Sequence, residues 1–497
     1  MSSYSSNIRS AAALATLVTI LLNLFVYYYP DILNSTDKCN WHKFNDNEVN
    51  ESSRSPRLLS QHEIINWLPE FVSDKILLNL PHLQDLTDQT SKSPFDESNH
   101  VKDLHFLLFG DPQINGNWKS TPYIKRLDNY GNDYYLGHIY SVMQSRLNPS
   151  HVAVMGDLFS SQWIHDSEFY NRTNRFVERL FPRPLEYKKN VVETYEKHED
   201  YDWRAWLDQE VNMDPVDRFK SRVYNDVYDW FNHSAKYPNF YNPLFINLTG
   251  NHDIGYSGDA TWQHMARFHH LFGQNNYVIN YNKGTPEEWR IVILDSLTLE
   301  GPALQEEFLN YTWSFLNNLN DIENPTFKGS TILMTHIPFY KKEGLCRDGP
   351  EHKYYVDNER EPYKNGKLRS QNHLAYDVSQ KILNIVFPNT DKEGIILTGH
   401  DHEGCDDYYN LINGEWIASK EKINKERESI REIVVRSMMG DFNGQTGILT
   451  GHFDYASKFW KFEFSYCSFT VQHWWWASKI SLLISILLHS LYWISIF

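Results

Sequence analysis

Basic residues are in short supply in this 497-residue chain: 47 lysines and arginines stand against 63 aspartates and glutamates, a formal net charge of −16. That balance repels a phosphodiester backbone, so nucleic acid is excluded as an expected partner. Cysteine is scarcer still. Cys39, Cys346, Cys405 and Cys467 are far apart and form no C-x-x-C pair, which removes a zinc knuckle or a dithiol redox centre. An even number suits an oxidising compartment, while the alternative pairings and free thiols stay open. No repeat of solenoid length occurs, and no low-complexity tract exceeds a few residues. Long apolar runs are absent except at two places, one near each end.

The first run, Ala11 to Tyr29, is uncharged and long enough to cross a bilayer at about 1.5 Å per residue. It reads as a signal anchor (11–29) behind a short cytosolic tail (1–10). A cleavable signal peptide would need small residues where Tyr27-Tyr28-Tyr29-Pro30 stands. The second run, Ile480 to Phe497, follows His473-Trp474-Trp475-Trp476, and tryptophans favour the membrane interface, so a second span is expected over 474–497. A glycolipid-attachment signal lacks its polar spacer here, and a hairpin lying on the surface would be less uniformly apolar. Two spans put both termini on one side and everything between on the other. Arg9 favours a cytosolic N-terminus and a lumenal bulk, with Lys479 pulling mildly the other way. Asn-x-Ser/Thr sequons begin at Asn34, Asn50, Asn171, Asn232, Asn247 and Asn310, but an Asn- and Ser-rich chain holds several by chance, and Asn247 is expected in a buried strand.

Residues 30–103 are polar and read as a membrane-proximal linker with one helix-like piece from His62 to Leu80. Short β-rich runs then follow: His105 to Phe109, His151 to Met155, Leu244 to Leu248, Arg290 to Leu294, Thr331 to Met334, Gly394 to Leu397 and Glu432 to Arg436. They show little alternation, as strands covered on both faces do. Helical patterns lie between them at Tyr135 to Leu147, Asp214 to Asn232, Ala303 to Leu319 and His373 to Phe387. Ile448 to Phe453 and Phe459 to Phe464 read as antiparallel edge strands. Strand and helix alternate, so an α/β layered domain is expected over 104–466. Within it, 163–240 is an insertion dense in charge and aromatics, either a solvated excursion or a lid over the site.

Four short strings close apolar runs: Gly110-Asp111-Pro112-Gln113, Gly156-Asp157, Gly250-Asn251-His252-Asp253 and Gly399-His400-Asp401-His402, with Thr335-His336 before the last. Two neighbouring divalent cations need carboxylate, imidazole and carbonyl ligands, one of them bridging, and these strings supply that set. Glycine lets the chain turn sharply where a strand ends, and loops at strand ends are where α/β sheets build sites. Each string alone is weak; a lone Gly-Asp is commonplace and His336 alone reads as a core histidine. Their order and placement together are specific. Cys346, His269-His270 and His452 lack such company and read as structural.

The set resembles the calcineurin-like metallophosphoesterases, whose pattern is D-x-H, G-D, G-N-H-[DE], a lone histidine and G-H-x-H, across about Leu104 to Tyr466. The resemblance implies a layered metallophosphoesterase fold with one N-terminal and one C-terminal transmembrane helix. It implies that Asp111, Gln113, Asp157 and His402 hold one metal and Asp157, Asn251, His336 and His400 the other, with Asp157 bridging. His252 would protonate the leaving oxygen, oriented by Asp253. Gln113 stands where the family has histidine, and its harder amide oxygen points to manganese rather than zinc. Asp-Pro-Gln, the two terminal runs and Arg436-Ser437-Met438-Met439-Gly440-Asp441-Phe442 are similar to the fungal endoplasmic-reticulum branch that remodels glycosylphosphatidylinositol (GPI) anchors. That branch implies removal of an ethanolamine-phosphate from a glycan mannose, the second rather than the first, promoting exit of anchored proteins. The implied partners are GPI-anchored proteins or their glycolipid, the lipid bilayer and cargo-receptor proteins of ER exit. A soluble nuclease would carry a basic groove and no spans, whereas a cargo-binding scaffold with weakened catalysis would draw its support from Gln113.

Overall fold

The computed structural model describes residues 3–33, 38–44, 101–118, 120–183, 203–228, 243–357, 359–388, 393–423 and 429–496. The helix-like stretch at His62 to Leu80 and parts of the 163–240 insertion lie outside them. In chain order the strands are β1 (Leu104–Phe109), β2 (His151–Val154), β3 (Val223–Asn225), β4 (Leu244–Asn247), β5 (Tyr277–Tyr281), β6 (Trp289–Ile293), β7 (Ser330–Met334), β8 (His352–Tyr354), β9 (Leu368–Gln371), β10 (Ile395–Thr398), β11 (Cys405–Ile412), β12 (Glu415–Ser419), β13 (Ser429–Val434), β14 (Thr446–Asp454) and β15 (Phe459–Cys467). The main helices are α1 (Ser3–Tyr27), α2 (Tyr123–Leu147), α3 (Asp166–Arg175), α4 (Trp262–Phe272), α5 (Glu306–Asn318), α6 (Tyr376–Val386) and α7 (Gln472–Ile496).

Successive side chains of a strand face opposite ways, and here both ways are dry. Phe106 and Leu108 of β1 join a core between two sheets, with Ile279, Ile291, Ile332, Ile395 and Ile433 from the opposite sheet. Leu107 and Phe109 join the other core, under helices such as α2. One sheet has five strands in the order β15-β14-β1-β2-β4, the other eight in the order β12-β11-β13-β10-β7-β6-β5-β3. Two sheets face to face with helices outside give four layers and explain why the runs read as continuously apolar.

The strands that matter for the site run parallel: β1 with β2, β2 with β4, β7 with β10 and β10 with β13. Their C-terminal ends gather at one rim, where an isolated bridge between Gly110 and Ser437 ties the sheets together.

Two helices differ from the sequence reading. Among the described residues, the helix expected over Asp214 to Asn232 is confined to Pro215–Lys220, capped by the Asp214 carboxylate. Val223–Asn225 instead pairs in parallel with β5, where Tyr224 meets the Tyr277 ring at 6.0 Å; sheet pairing overrides the local helical pattern. The helix expected to begin at Tyr135 begins at Tyr123. Gly131 and Gly137 interrupt its apolar pattern because Trp476 of α7 and the Arg179 carbonyl press against the helix at those points.

By length and composition, Ser5–Tyr27 and Gln472–Ile496 can each cross a membrane. They pack as a hairpin: Thr16 Oγ1 lies 2.9 Å from both Ser485 Oγ and His489 Nε2, and Phe25 meets Trp474 edge-on at 5.6 Å. Small and hydroxyl side chains at the seam let apolar helices approach and hydrogen-bond. Residues 38–44, inside the expected linker, are packed onto the domain. Cys39 is bonded to Cys467, Trp41 stacks on His105 at 4.3 Å, and its indole N–H donates to the Leu147 carbonyl at 2.8 Å. Cys346 is bonded to Cys405, so Cys405 is no free apolar thiol.

Candidate metal centre

The motif side chains lie at the common rim, Asn251, His252 and Asp253 on the short helix Asn251–Ile254 and the others on turns, four of which are strained. Asp111, Gln113, Asp157 and His400 have φ of 40°, 43°, 49° and 72°. Left-handed backbone is uncommon outside glycine and costs about 1–3 kcal/mol per residue, so it persists only where the surroundings over-determine it. Here they do. The Gln113 N–H donates to the Asp157 carbonyl at 2.9 Å, Ile114 to Leu158 at 3.0 Å, and Met438 to Gly110 at 2.8 Å, stitching the ends of both sheets together. Gly250 carries no side chain because a Cβ there would collide with Asp157, and one at Gly156, φ 97°, would collide with His336.

These turns bring Asp111, Asp157 and His402 into one cluster, with ligand atoms all within 4.8 Å of one another. The Gln113 side chain joins it, its amide Nε2 donating to Asp157 Oδ2 at 3.0 Å and lying 3.2 Å from His402 Nε2. On the far side of Asp157, His336 Nε2 is 3.5 Å from its Oδ1 and 3.1 Å from Asn251 Oδ1. The His400 ring lies 5.2 Å from the His336 ring, and its backbone N–H faces the Asp111 carboxylate at 3.2 Å. Asp157 thus stands between two groups of donors.

The donor chemistry fits cations. His336 donates through Nδ1 to the Met155 carbonyl at 2.8 Å, leaving the lone pair of Nε2 facing two oxygens that are themselves acceptors. Converging lone pairs repel unless a positive ion sits among them. His400 is held the same way, Nε2 against the Gln371 carbonyl at 3.0 Å, with its other nitrogen left over. Such outer hydrogen bonds orient metal-binding imidazoles. Burial lowers His336 and pushes His400 down to about 3, favouring in both the neutral form that binds metal. Burial, then the Asp157 charge, raises the Asp111 carboxyl well above its ordinary value. Two buried carboxylates this close call for cationic compensation.

One expected role changes. Asp253 does not orient the His252 ring. Its carboxylate accepts from the N–H groups of Leu158 (3.1 Å), Phe159 (3.0 Å) and Gly250 (2.9 Å), clamping the turn after β2 to the turn after β4. The His252 side chain stands 39% exposed at the rim, its Nε2 3.8 Å from Asp157 Oδ2, while its backbone N–H donates to Asp157 Oδ1 at 2.8 Å. A proton donor needs that reach toward solvent and substrate.

The insertion also takes a definite part. Arg172 and Arg175 of α3, both buried, donate to the carbonyls of Ile114 and Asn115, and Arg175 forms a forked pair with Asp133 of α2 at 2.7 and 2.8 Å. The loop after Gln113 is therefore braced by the start of the insertion.

Sequence reasoning missed Met155 and Gln371, which act through backbone carbonyls and leave no side-chain signal. Phe442, the end of the Arg436–Phe442 string, carried no expectation of touching the centre, yet its ring meets His402 edge-on at 4.9 Å. Asp401 Oδ2 and the Gln371 side-chain amide, both buried beside His400, have no hydrogen-bond partner among the described residues. Unpaired polar atoms of that kind mark a place where a ligand or water completes the site.

No family model matches the chain. It is 46% identical over 494 residues to Protein TED1 of Saccharomyces cerevisiae, an alignment that covers 96% of this chain and 97% of that protein. Metallophosphoesterase 1 of Xenopus laevis is 27% identical over 184 residues, covering 32% of this chain and 42% of that one. Cell division control protein 1 of Saccharomyces cerevisiae is 24% identical over 223 residues, covering 43% and 41%. With a near full-length relative at this identity, a named metallophosphoesterase among the more distant ones, and the motif side chains converging as they do, the chain belongs to the calcineurin-like metallophosphoesterases.

Proposed function

We propose that this protein is a two-metal phosphodiesterase of the endoplasmic-reticulum membrane, its catalytic domain lumenal, that removes an ethanolamine-phosphate branch from the second mannose of the GPI glycan. The observation that carries the reading is the closeness of the centre to the apolar hairpin. Phe442, against His402, ends the turn Gly440–Phe442, and a Cβ at Gly440 would touch Gln472, the first residue of α7. Tyr135 adds a bond from its hydroxyl to the Thr470 carbonyl at 2.6 Å. A substrate for such a site is one held at a membrane surface. The two disulfides suit an oxidising lumen. The choice of glycan and mannose rests on the family resemblance.

Asp111, Gln113, Asp157 and His402 would hold one cation, and Asp157, Asn251, His336 and His400 the other; manganese suits the amide oxygen of Gln113. When bound, the pair of ions neutralises charge on the phosphoryl oxygens and acidifies water. The protein's own part is to hold the carboxylates and neutral imidazoles in place on strained turns, and to keep His252 at the open rim. As the oxygen of a water bonds to phosphorus and the bond from phosphorus to the mannose oxygen breaks, a protonated His252 imidazole would give its proton to that oxygen, releasing a mannose hydroxyl and phosphoethanolamine. GPI-anchored proteins or their glycolipid, and cargo receptors of ER exit, are the partners this reading calls for.

Mass spectrometry of anchor glycans from cells lacking the protein tests it. The expected result is ethanolamine-phosphate retained on the second mannose, slow exit of anchored cargo, and no rescue by His400→Ala. Retention on the first mannose alone would move the specificity, rescue by His400→Ala would favour a scaffold, and unchanged glycans would end the reading.

A further inference from the structure

Helix α2 carries large apolar side chains that the fold does not use. Tyr123 is 78% and Ile124 81% exposed, and Leu127, Tyr130 and Tyr134 continue the exposed series. At about 100° per residue these five fall within roughly one third of the helix circumference. They share that third with Gly131 and His138, the two places where the hairpin docks: Trp476 of α7 presses on Gly131, and the Tyr27 ring of α1 meets His138 at 4.6 Å. Among the described residues, the face that receives the hairpin therefore runs on, uncovered, for about two further turns toward the helix N-terminus. Arg179 lies over the rings of Tyr130 and Tyr134 at 5.3 and 5.6 Å, placing a cation beside the aromatics while it pairs with Asp133. Aromatic and aliphatic side chains flanked by a basic group are the composition of a membrane-interface surface.

The same helix holds the metal centre's first loop. Asn129 donates to the Gly116 carbonyl and to Asn117 Oδ1, each at 2.8 Å, just beyond Gln113.

We propose that the Tyr123–Tyr134 stripe of α2 lies in the headgroup layer of the bilayer that α1 and α7 cross. The catalytic domain would then touch the membrane directly, and the loop after Gln113 would sit at the lipid surface. This rests on the membrane reading of the two apolar helices and is independent of which diester is cleaved. The occupant is lipid rather than protein because the stripe continues the face already turned to the two apolar helices.

The test uses the full chain in phosphatidylcholine nanodiscs. All four cysteines are disulfide-bonded, so a single added cysteine takes a bimane label specifically. Ile124→Cys and Leu127→Cys report the stripe, and Lys125→Cys reports the neighbouring face. With lipids spin-labelled at the headgroup, the labels at 124 and 127 should lose about half or more of their emission, and the label at 125 little. Equal quenching at 124 and 125 would overturn the proposal. So would labels at 124 that respond to aqueous iodide but not to spin-labelled lipid, or to neither, the last meaning that protein covers the face. Quenching needs no turnover, so a protein inactive on anchor glycans would still give the contrast, and the two readings fail separately.

Discussion

The two halves of the metal centre are built differently. Around His336 and Asn251 the donors are buried, with His400 half-buried beside them, and His336 is held by a backbone carbonyl inside the core. Around Gln113 and His402 the donors are only partly buried, and an amide stands where the family has an imidazole. Asp157, which the halves share, and Asp111, which belongs with Gln113 and His402, are both fully buried. If both halves bind an ion as proposed, the sealed half would hold it as a fixed part of the fold, and the open half, beside Phe442 and the hairpin, would exchange ion and substrate.

The most drastic way to break the comparison is to remove what the halves share. Asp157→Asn should cost about 10³-fold or more in turnover and empty both halves in equilibrium dialysis, because one carboxylate faces both donor groups. A variant that kept one ion would mean the halves are independent. His252→Ala leaves both halves intact and should slow turnover of a poor leaving group by about 10²–10⁴-fold at unchanged metal content. The loss should shrink on a bis(nitrophenyl) phosphate, whose leaving group departs without a proton; equal losses on both would make His252 structural.

Gln113→His sharpens the comparison directly. An imidazole at that position should tighten the open half by about tenfold and move its preference from manganese toward zinc, as read by metal titration, with the sealed half unchanged. The smallest effect is expected at Asp253. Asn there keeps one acceptor oxygen for three N–H groups, so thermal unfolding should show a loss of about 1–3 kcal/mol with metal still bound. A large, selective loss of turnover with no loss of stability would restore the idea that Asp253 orients His252.

The strands at the rim were legible because both faces are dry and each run ends in a Gly-Asp, Gly-Asn-His or Gly-His string. Their parallel pairing was what turned separate strings into one site. The start of α2 was not legible, since Gly131 and Gly137 answer to Trp476 and Arg179, contacts far along the chain. Neither was Asp253, whose position in the motif suggests the neighbouring histidine although its partners are backbone groups across two turns. Strain at Asp111, Gln113, Asp157 and His400 has no sequence signature outside glycine, yet it is what aims the side chains. The disulfides followed from compartment and number only as a class; the pairing of Cys39 with Cys467 depends on residues 38–44 packing beside the last strand.

The proposed two-ion centre with unequal halves is tested most directly by metal content against turnover of a soluble diester, for the full chain loaded with manganese and dialysed against a chelator of graded strength. The account predicts two ions per chain when loaded, one lost readily together with activity, activity restored by manganese, and the second ion retained until far stronger chelation. Full turnover with a single ion, or loss of both ions together at one chelator strength, would contradict it.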